Sequence, residues 1–571
     1  MDGDNGTVKE RIVSCCKFHW RGKLICIFPL LVLPMLLYGY LNDSPEFVCL
    51  YVVVVMALFW ITELLPLYVT ALIPVVALPL FGVLSSKDLC VLYFSDTVIL
   101  FLGGLIIALA IEYCNLHQRI ALRTMLIVGT SPRLLHFGLM SVTAFISLWI
   151  SNSAGAAMMC PIIKAVLNEM DTGNIFNVYM SQEEEPYEEG DPPHPSHIAM
   201  AFYIGVAYAA SIGGCGTLIG TGTNLVFKGL YDTRFPDSVE KVSFPVFMLY
   251  SCPLIVGLNL LLTYLSLQIT HMGLFRWKSK RAQEVKKGSE SKELIKAVLK
   301  SRHASLGPMS CHEIQVTILF VTTIVLLFTC KPGFMPGWAN FLNAKKIGNS
   351  PCILLPAVLM FALPTQYTFF KYCCGKPPFP GRAMDALISW TYLQKHMPWG
   401  LCFLLGGGFA LAQATRVSGV NTFIGRVLSF CEGSPEIVVV MLCVFVSIFC
   451  TTFSSNVVVA NILLPIFFEL ALILEMHPLV LAYPSCLATS MAYLLPVSTP
   501  PNAIVAAYGN IKTKYLILAA LLPSACAFFV VVFNAYTWGH VVYPTTGSFP
   551  DWAAEAKNQT TRLVFHSEFI M

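Results

Sequence analysis

Apolar residues fill this chain in runs of roughly twenty, parted by short polar stretches, the length at which a helix crosses a ~30 Å hydrocarbon core. Runs that meet this test lie at 24–41, 47–64, 66–83, 97–114, 200–227, 247–270, 313–330, 352–370, 399–415, 480–509 and 515–538, which predicts eleven spans. Two further apolar stretches, 135–169 and 436–475, each hold a polar break near the middle. The arm 135–150 would reach only roughly 24 Å at a 1.5 Å rise per residue, short for a full crossing. Both stretches therefore read as re-entrant hairpins. The expected fold is an all-α polytopic membrane protein of about eleven spans and two hairpins.

The breaks come in matched sets. Ser151-Asn152-Ser153 is followed by AGAAMMCPI, and Ser455-Asn456-Val457 by VVANILLPI. A Gly-rich apolar helix precedes each, FLGGLIIALA from Phe101 and LLGGGFALAQ from Leu404, and a second break follows each, Gly220-Thr221-Gly222-Thr223-Asn224 and Thr499-Pro500-Pro501-Asn502. Gly103 to Ser151 is 48 positions and Gly406 to Ser455 is 49. Asn152 to Asn224 is 72 against 46 for Asn456 to Asn502, and the excess of 26 matches a polar insertion at about 171–197. An odd number of crossings separates the copies, so the second is inverted. Inverted repeats of this kind place a shared site near the midplane of a transporter.

Composition agrees with a lipid-solvated chain: of 571 residues 56% are apolar and 12% charged, where soluble domains carry about 25% charged residues. No short apolar core with an A-x-A-like cleavage site opens the sequence, so the first segment is expected to be a retained span. The 20 Cys are scattered, mostly within apolar runs, and read as packing thiols. Loop charge sets the orientation. Basic residues gather in the N-terminal tail (Lys9, Arg11, Lys17, Arg21, Lys23), after the fourth span (Arg119, Arg123, Arg133), in 276–302, and after the eighth span (Lys371, Lys376, Arg382, Lys395). Segment 276–302 alone has ten Lys/Arg against three Glu. It reads as a positive-inside loop near anionic headgroups, not as a nucleic-acid patch. With the N-terminus cytoplasmic all four groups fall inside, and an odd span count puts the C-terminus outside, where Asn558 heads a glycosylation sequon. The acidic cluster at 183–191 reads as a disordered cytoplasmic loop.

Unwound backbone survives in a bilayer only where protein buries it or it lines a water-filled cavity. Helix N-termini at such breaks offer N–H groups and a positive dipole end, about half an elementary charge, to an anion. Asn, Ser and Thr side chains offer donors and acceptors together, and carbonyls freed at Gly220–Gly222 and near Ser498–Pro500 suit a hard cation such as Na+. No Lys or Arg lies within 141–163, 203–227, 450–468 or 490–511. Unpaired charge at the midplane is costly, so a polyanion held there needs co-bound cations or protonation. Of the intramembrane acids, Glu63 and Glu112 read as interface anchors, and Glu469 is left open.

At these residues the chain resembles the divalent-anion:sodium symporter family of di- and tricarboxylate transporters and, within it, the insect citrate transporters. Segments 96–114, 149–162 (WISNSAGAAMMCPI), 211–227, 397–413, 454–466 and 496–510 (PVSTPPNAIVAAYGN) carry the likeness, with PGFMPGW from Pro332 and FPDWA from Phe549. The resemblance implies a plasma-membrane homodimer in which a transport domain slides like an elevator against a scaffold. Scaffold helices would occupy 24–95 and 246–395, transport repeats 96–245 and 396–538, and cytoplasmic and extracellular tails 1–23 and 539–571. It implies a substrate site at Ser151, Asn152, Ser153, Gly222, Thr223, Asn224, Ser455, Asn456, Val457, Thr499, Pro500 and Asn502. In sodium-coupled relatives one ion would sit among Ser147, Ser151, Asn152 and Gly220, a second among Thr451, Asn456 and the backbone near Ser498. Three departures stand out: SNS for the usual SNT, SNV in the second copy, and GTGTN for GTGPN. Insect relatives with the third departure, Thr where Thr223 stands, are regarded as sodium-independent, so sodium, proton-linked and exchange coupling all stay open.

The expected activity is transport of citrate, succinate and related carboxylates, with no enzymatic role and no cofactor beyond a coupling ion, Na+ or H+. A sulfate carrier of the same family is the alternative. A channel would favour continuous pore-lining helices, and a polytopic enzyme would need a constellation such as HExxH or GxSxG, which the sequence lacks.

Overall fold

The computed structural model describes residues 20–557 except 130, 173–177, 181–193, 277, 289–291, 333–335, 342–346, 368–372, 376–378, 380, 382–383, 421–422, 425–432 and 497. The acidic cluster, most of the N-terminal tail and Asn558 lie outside the described residues. Within them the regular structure is helical, with two isolated bridges (Tyr179 to Pro195, Pro364 to Ala386) and no strand.

Ten described helices are long and apolar enough to cross a membrane, and they include both arms of the second predicted hairpin, Glu436–Phe453 and Asn456–Ile473. Four expected spans are interrupted or short, and 352–370 is the short one, with a helix of 13 residues at Ser350–Ala362. Stretch 66–83 forms Leu67–Thr70 and Ile73–Leu80 about a turn at Ala71–Leu72. Pro74 stands at the start of the second piece, where its missing N–H is one that no helix would use. Stretches 200–227 and 480–509 divide into His197–Gly214 with Gly222–Arg234, and Pro478–Thr489 with Pro500–Gly509. The first hairpin comprises Pro132–Ser147 and Asn152–Thr172. Segment 276–302, expected as a loop, carries two helices, Lys280–Gly288 and Lys292–Ser305. Val285 and Leu299 are buried there while Lys286, Lys296 and Lys300 face outward, so alternation at helical spacing hid inside a charge-rich run.

Packing reproduces the sequence repeat. In each copy the first hairpin arm lies against the first half of its own broken helix, Pro132–Ser147 on His197–Gly214 and Glu436–Phe453 on Pro478–Thr489. The second halves cross over. Gly222–Arg234 packs on the second hairpin's arm Asn456–Ile473, and Pro500–Gly509 on the first hairpin's arm Asn152–Thr172. Such an exchange is what a pseudo-twofold relation between inverted halves requires. Tyr208 and Tyr493, both fully buried, meet at 4.6 Å between the two broken helices. Small residues let backbones touch where lipid gives no hydrophobic push: a Cβ on Gly213 would fall 2.2 Å from the Ala144 carbonyl oxygen.

A bidentate ion pair also ties the halves, with Arg234 Nε 2.7 Å from Glu469 Oε1 and Nη2 3.3 Å from Oε2, both side chains nearly buried. Glu469, left open by the sequence, is thus charge-paired across the repeat boundary. At one end of the molecule two of the basic segments meet, helix Lys292–Ser305 packing on Leu116–Val128, and Arg119 pairs with Glu313 and donates to the carbonyls of Leu306, Gly307 and Pro308. At the other end Trp552 of FPDWA donates to Glu240 at 2.8 Å and packs on Phe235.

Candidate functional site

Both broken helices restart from a threonine in nearly the same extended conformation, Thr221 at φ −146°, ψ 151° and Thr499 at φ −143°, ψ 144°. Ahead of each, a stretch of non-helical backbone would leave carbonyls without donors, and a buried orphan of this kind costs about 1–3 kcal/mol. One asparagine in each copy supplies the donors. Asn224 Nδ2 donates to the carbonyls of Gly214 (2.9 Å) and Thr217 (2.6 Å), ten and seven residues back. Asn502 Nδ2 donates to Ala492 (3.0 Å) and Leu495 (3.2 Å), again ten and seven back, and to Tyr493 at 3.4 Å. The repeat therefore holds at the level of single hydrogen bonds.

Each hairpin tip is pinned to the break of its own copy. Thr217 Oγ1 donates to the Leu148 carbonyl, and Ser498 Oγ donates to the Thr452 carbonyl at 2.8 Å. Leu148 and Thr452 stand four residues before Asn152 and Asn456. The same hydroxyls accept from the loops, Gly220 N at 3.0 Å and Leu495 N at 3.3 Å. Gly214 lies against Asn152, where a Cβ would fall 2.3 Å from Oδ1. Contacts across the copies close the cluster. A Cβ on Gly222 would sit 3.1 Å from Val457 Cγ2, and Thr223 Oγ1 is 2.9 Å from Ser490 Oγ, both groups fully buried.

The sequence-predicted residues thus fall into two layers. Ser151 and Pro500 are exposed, and Asn152, Ser153, Gly222, Ser455 and Asn456 half-buried. Thr223, Asn224, Thr499 and Asn502 are buried behind them, as are Ser147, Gly220, Thr451 and Ser498, while Val457 is nearly so. Beside the first tip a cavity of about 640 Å³ is lined by Ile150, Ala154 and Met158 together with Glu112, Tyr392 and Arg302.

The two expected ion positions differ in their hydrogen bonding. Ser147 Oγ and Asn152 Oδ1 are buried with no hydrogen-bond partner. Their repeat counterparts are partnered: Thr451 Oγ1 is 2.8 Å from Asn456 Oδ1 and 2.6 Å from the Thr489 carbonyl oxygen. One hydroxyl hydrogen serves only one of those two acceptors at a time, so three oxygens converge on a single proton. Oxygen-only sets of this kind suit a hard cation. They contain no titratable group.

The helix N-termini are unlike in a way the sequence reading did not draw out. Gly222 and Thr223 have N–H groups, whereas Pro500 and Pro501, which open the second restart, have none. The first break and the second hairpin, whose restart at Asn456 has no side-chain cap, thus retain more donors than the second break. Sequence reasoning also missed Ser490 and Thr489. Counted back from the clamp asparagines, Ser490 matches Ile212 in the first copy, so a search by repeat passes over it. Thr217 was missed for the same reason, since Leu495 stands at its counterpart.

Residues 17–544 match the family described as sodium:sulfate symporter transmembrane region. The chain is 48% identical to "Protein I'm not dead yet" of Drosophila melanogaster, over 97% of this chain and 95% of that one. It is 36% identical to human solute carrier family 13 member 2, covering 95% and 97%, and 36% identical to the rat Na(+)/citrate cotransporter, covering 92% and 95%. Among solved structures, MtrF of Neisseria gonorrhoeae, from a class of antimetabolite efflux pumps, aligns at a TM-score of 0.47 with 13% identity, over 77% of this chain and 80% of that one.

Proposed function

The chain belongs to the sodium:sulfate symporter family, a family of membrane transporters, and on that footing we propose that it carries di- and tricarboxylates, citrate and succinate among them, across the plasma membrane. The observation that carries the proposal is the pair of pinned hairpin tips, whose half-buried Asn152 and Asn456 stand over buried oxygen clusters with no Lys or Arg in the four motif stretches. Carboxylates meet Ser151, Asn152, Ser153, Gly222, Ser455, Asn456 and Pro500. Thr223, Asn224, Val457, Thr499 and Asn502 act from behind, by holding the breaks in shape.

Cations offset the substrate's charge. One occupies Ser147 Oγ, Ser151, Asn152 Oδ1 and the Gly220 carbonyl, the other Thr451, Asn456 and the backbone near Ser498. Hydroxyls, amides and carbonyls do not hold a proton near neutral pH, so these clusters fit Na+ better than H+. In a proton-linked cycle the proton would ride on the substrate's own carboxyl. The transport repeats move as an elevator against the scaffold in a homodimer, with the N-terminus cytoplasmic and the C-terminus outside, where Asn558 accepts a glycan. The cavity beside the first tip lies toward the end where two basic segments meet, which supports an inward-facing state.

Uptake of labelled citrate into proteoliposomes, with Na+ and pH gradients imposed separately, tests this. The expected result is accumulation driven by inward Na+ and competed by succinate. Absence of uptake under every gradient would overturn it. The family's own description names sulfate, so competition by sulfate equal to that by succinate would move the reading to a sulfate carrier.

A further inference from the structure

Away from the hairpin cluster, at the basic segment 276–302, a second cavity of about 540 Å³ opens beneath the connector that begins at Gly273. It shares no residue with the substrate or ion positions. Arg276, Lys280 and Arg281 line it, and Glu284 is the one carboxylate among its described lining residues. Hydroxyl groups of Tyr179, Ser196, Thr270 and Tyr515 and the His197 ring add to the polar wall, which draws on the start of a helix from each repeat. The walls thus carry an excess of two positive charges in a concave, hydroxyl-rich space. Ser279 Oγ is already engaged, accepting from Ala282 N at 3.2 Å, and Arg281 Nη1 donates to the Thr270 carbonyl at 3.4 Å. These two hydrogen bonds tie the connector's entry to the end of the preceding helix and the start of the next.

The outer lip identifies what fills it. A tight turn at Gly273, φ +63°, closed by Arg276 N on the Gly273 carbonyl at 3.0 Å, throws Phe275 outward, 74% exposed. Phe275, Arg276, Lys278 and Ser279 wall a shallower depression of about 390 Å³ that shares Arg276 and Ser279 with the deep one. An apolar ring standing out between cations is placed to enter acyl chains while the cations stay at headgroup level. A soluble anion would gain nothing from it. We propose that this cavity binds the phosphorylated headgroup of an anionic lipid, with Phe275 beside its acyl chains.

Binding is read directly, so the outcome is independent of whether citrate is the cargo. The full chain, purified and placed in phosphatidylcholine nanodiscs doped with phosphatidylinositol 4-phosphate, is assayed for retained phosphoinositide. Arg276→Gln with Lys280→Gln is expected to lower retention on the order of twentyfold, each cation near a surface contributing roughly fivefold. Lys296→Gln with Lys300→Gln removes the same charge from outward-facing positions on the next helix, and retention is expected to stay within about twofold. Equal losses in both pairs, or none in the first, would overturn the proposal. Phe275→Ser leaves every charge in place and guards against misfolding of the first pair. It is expected to weaken the lipid but not glycerophosphoinositol 4-phosphate, the same headgroup without chains. If that soluble headgroup binds the native chain as tightly as the lipid, the site takes free phosphate esters and the lipid assignment fails.

Discussion

Replacing Asn502 by leucine tests whether the buried asparagines hold the breaks or touch the cargo. The side chain keeps its size and loses both N–H donors. Wild-type Nδ2 reaches three carbonyls, at 3.0, 3.2 and 3.4 Å, with two hydrogens, so two full bonds are lost. Each carbonyl left buried without a donor costs about 1–3 kcal/mol. The sum, about 2–6 kcal/mol, rivals the whole stability margin of many folds. Asn502→Asp is the graded control, since a buried acid stays neutral and its O–H restores one bond, which halves the loss. Asn224→Leu and Asn224→Asp are expected to repeat the series, because the same ten- and seven-residue offsets are bridged there. The assay is thermal unfolding of detergent-purified protein without substrate, beside uptake per surface molecule. The Leu variants are expected to melt several degrees lower even without ligand. Were their ligand-free melting unchanged while KM rose, the asparagines would be cargo contacts and the bracing argument would be wrong.

Glu469→Leu alone is expected to cost about 3–5 kcal/mol by removing the carboxylate that holds Arg234 bidentately, while Arg234→Met with Glu469→Leu recovers part of that, Arg416 still lining the same space; thermal melts in which single and double variants fall equally would contradict it. Gly214→Ala places a methyl 2.3 Å from Asn152 Oδ1 and is expected to abolish uptake, whereas Gly222→Ala meets the Val457 methyl at 3.1 Å and is expected to retain it in part; equal uptake per surface molecule would refute the ranking. Burial lowers the His477 pKa to about 4 despite Glu240 beside it, from an unfolded value of about 6.5. The unfolded chain therefore binds the extra proton, and the melting temperature is expected to fall as pH drops from 6.5 toward 4. His477→Gln is expected to flatten that slope, and an unaltered slope would remove His477 from the account.

The sequence revealed what depends on periodicity and on copying. Matched SN, GTGTN and TPPN motifs stand within a few residues of the turns in both hairpins and both divided helices, because clustered polar, Gly and Pro residues end a helix where isolated ones such as Pro29, Pro34 and Gly103 stay inside it. It did not show which asparagines face outward. Asn152 and Asn224 are alike as letters, and only the fold half-buries one and encloses the other. Charge-rich composition concealed the helices of 276–302, since the apolar positions there, Val285, Leu294-Ile295 and Val298-Leu299, are few and set among lysines. Partners far apart in the chain, Arg234 with Glu469 and Thr223 with Ser490, carry no local signal and emerge only when the crossed packing is seen.

The paired prolines at the second restart have one more consequence. At the proposed site, a molecule with two equivalent ends lying across the pseudo-axis would meet the peptide hydrogen of half-buried Gly222 at one end but only the ring carbons of exposed Pro500 at the other. Identical ends would therefore be rendered inequivalent on binding. A lopsided molecule would settle one way round, its most charge-dense end toward the glycine side.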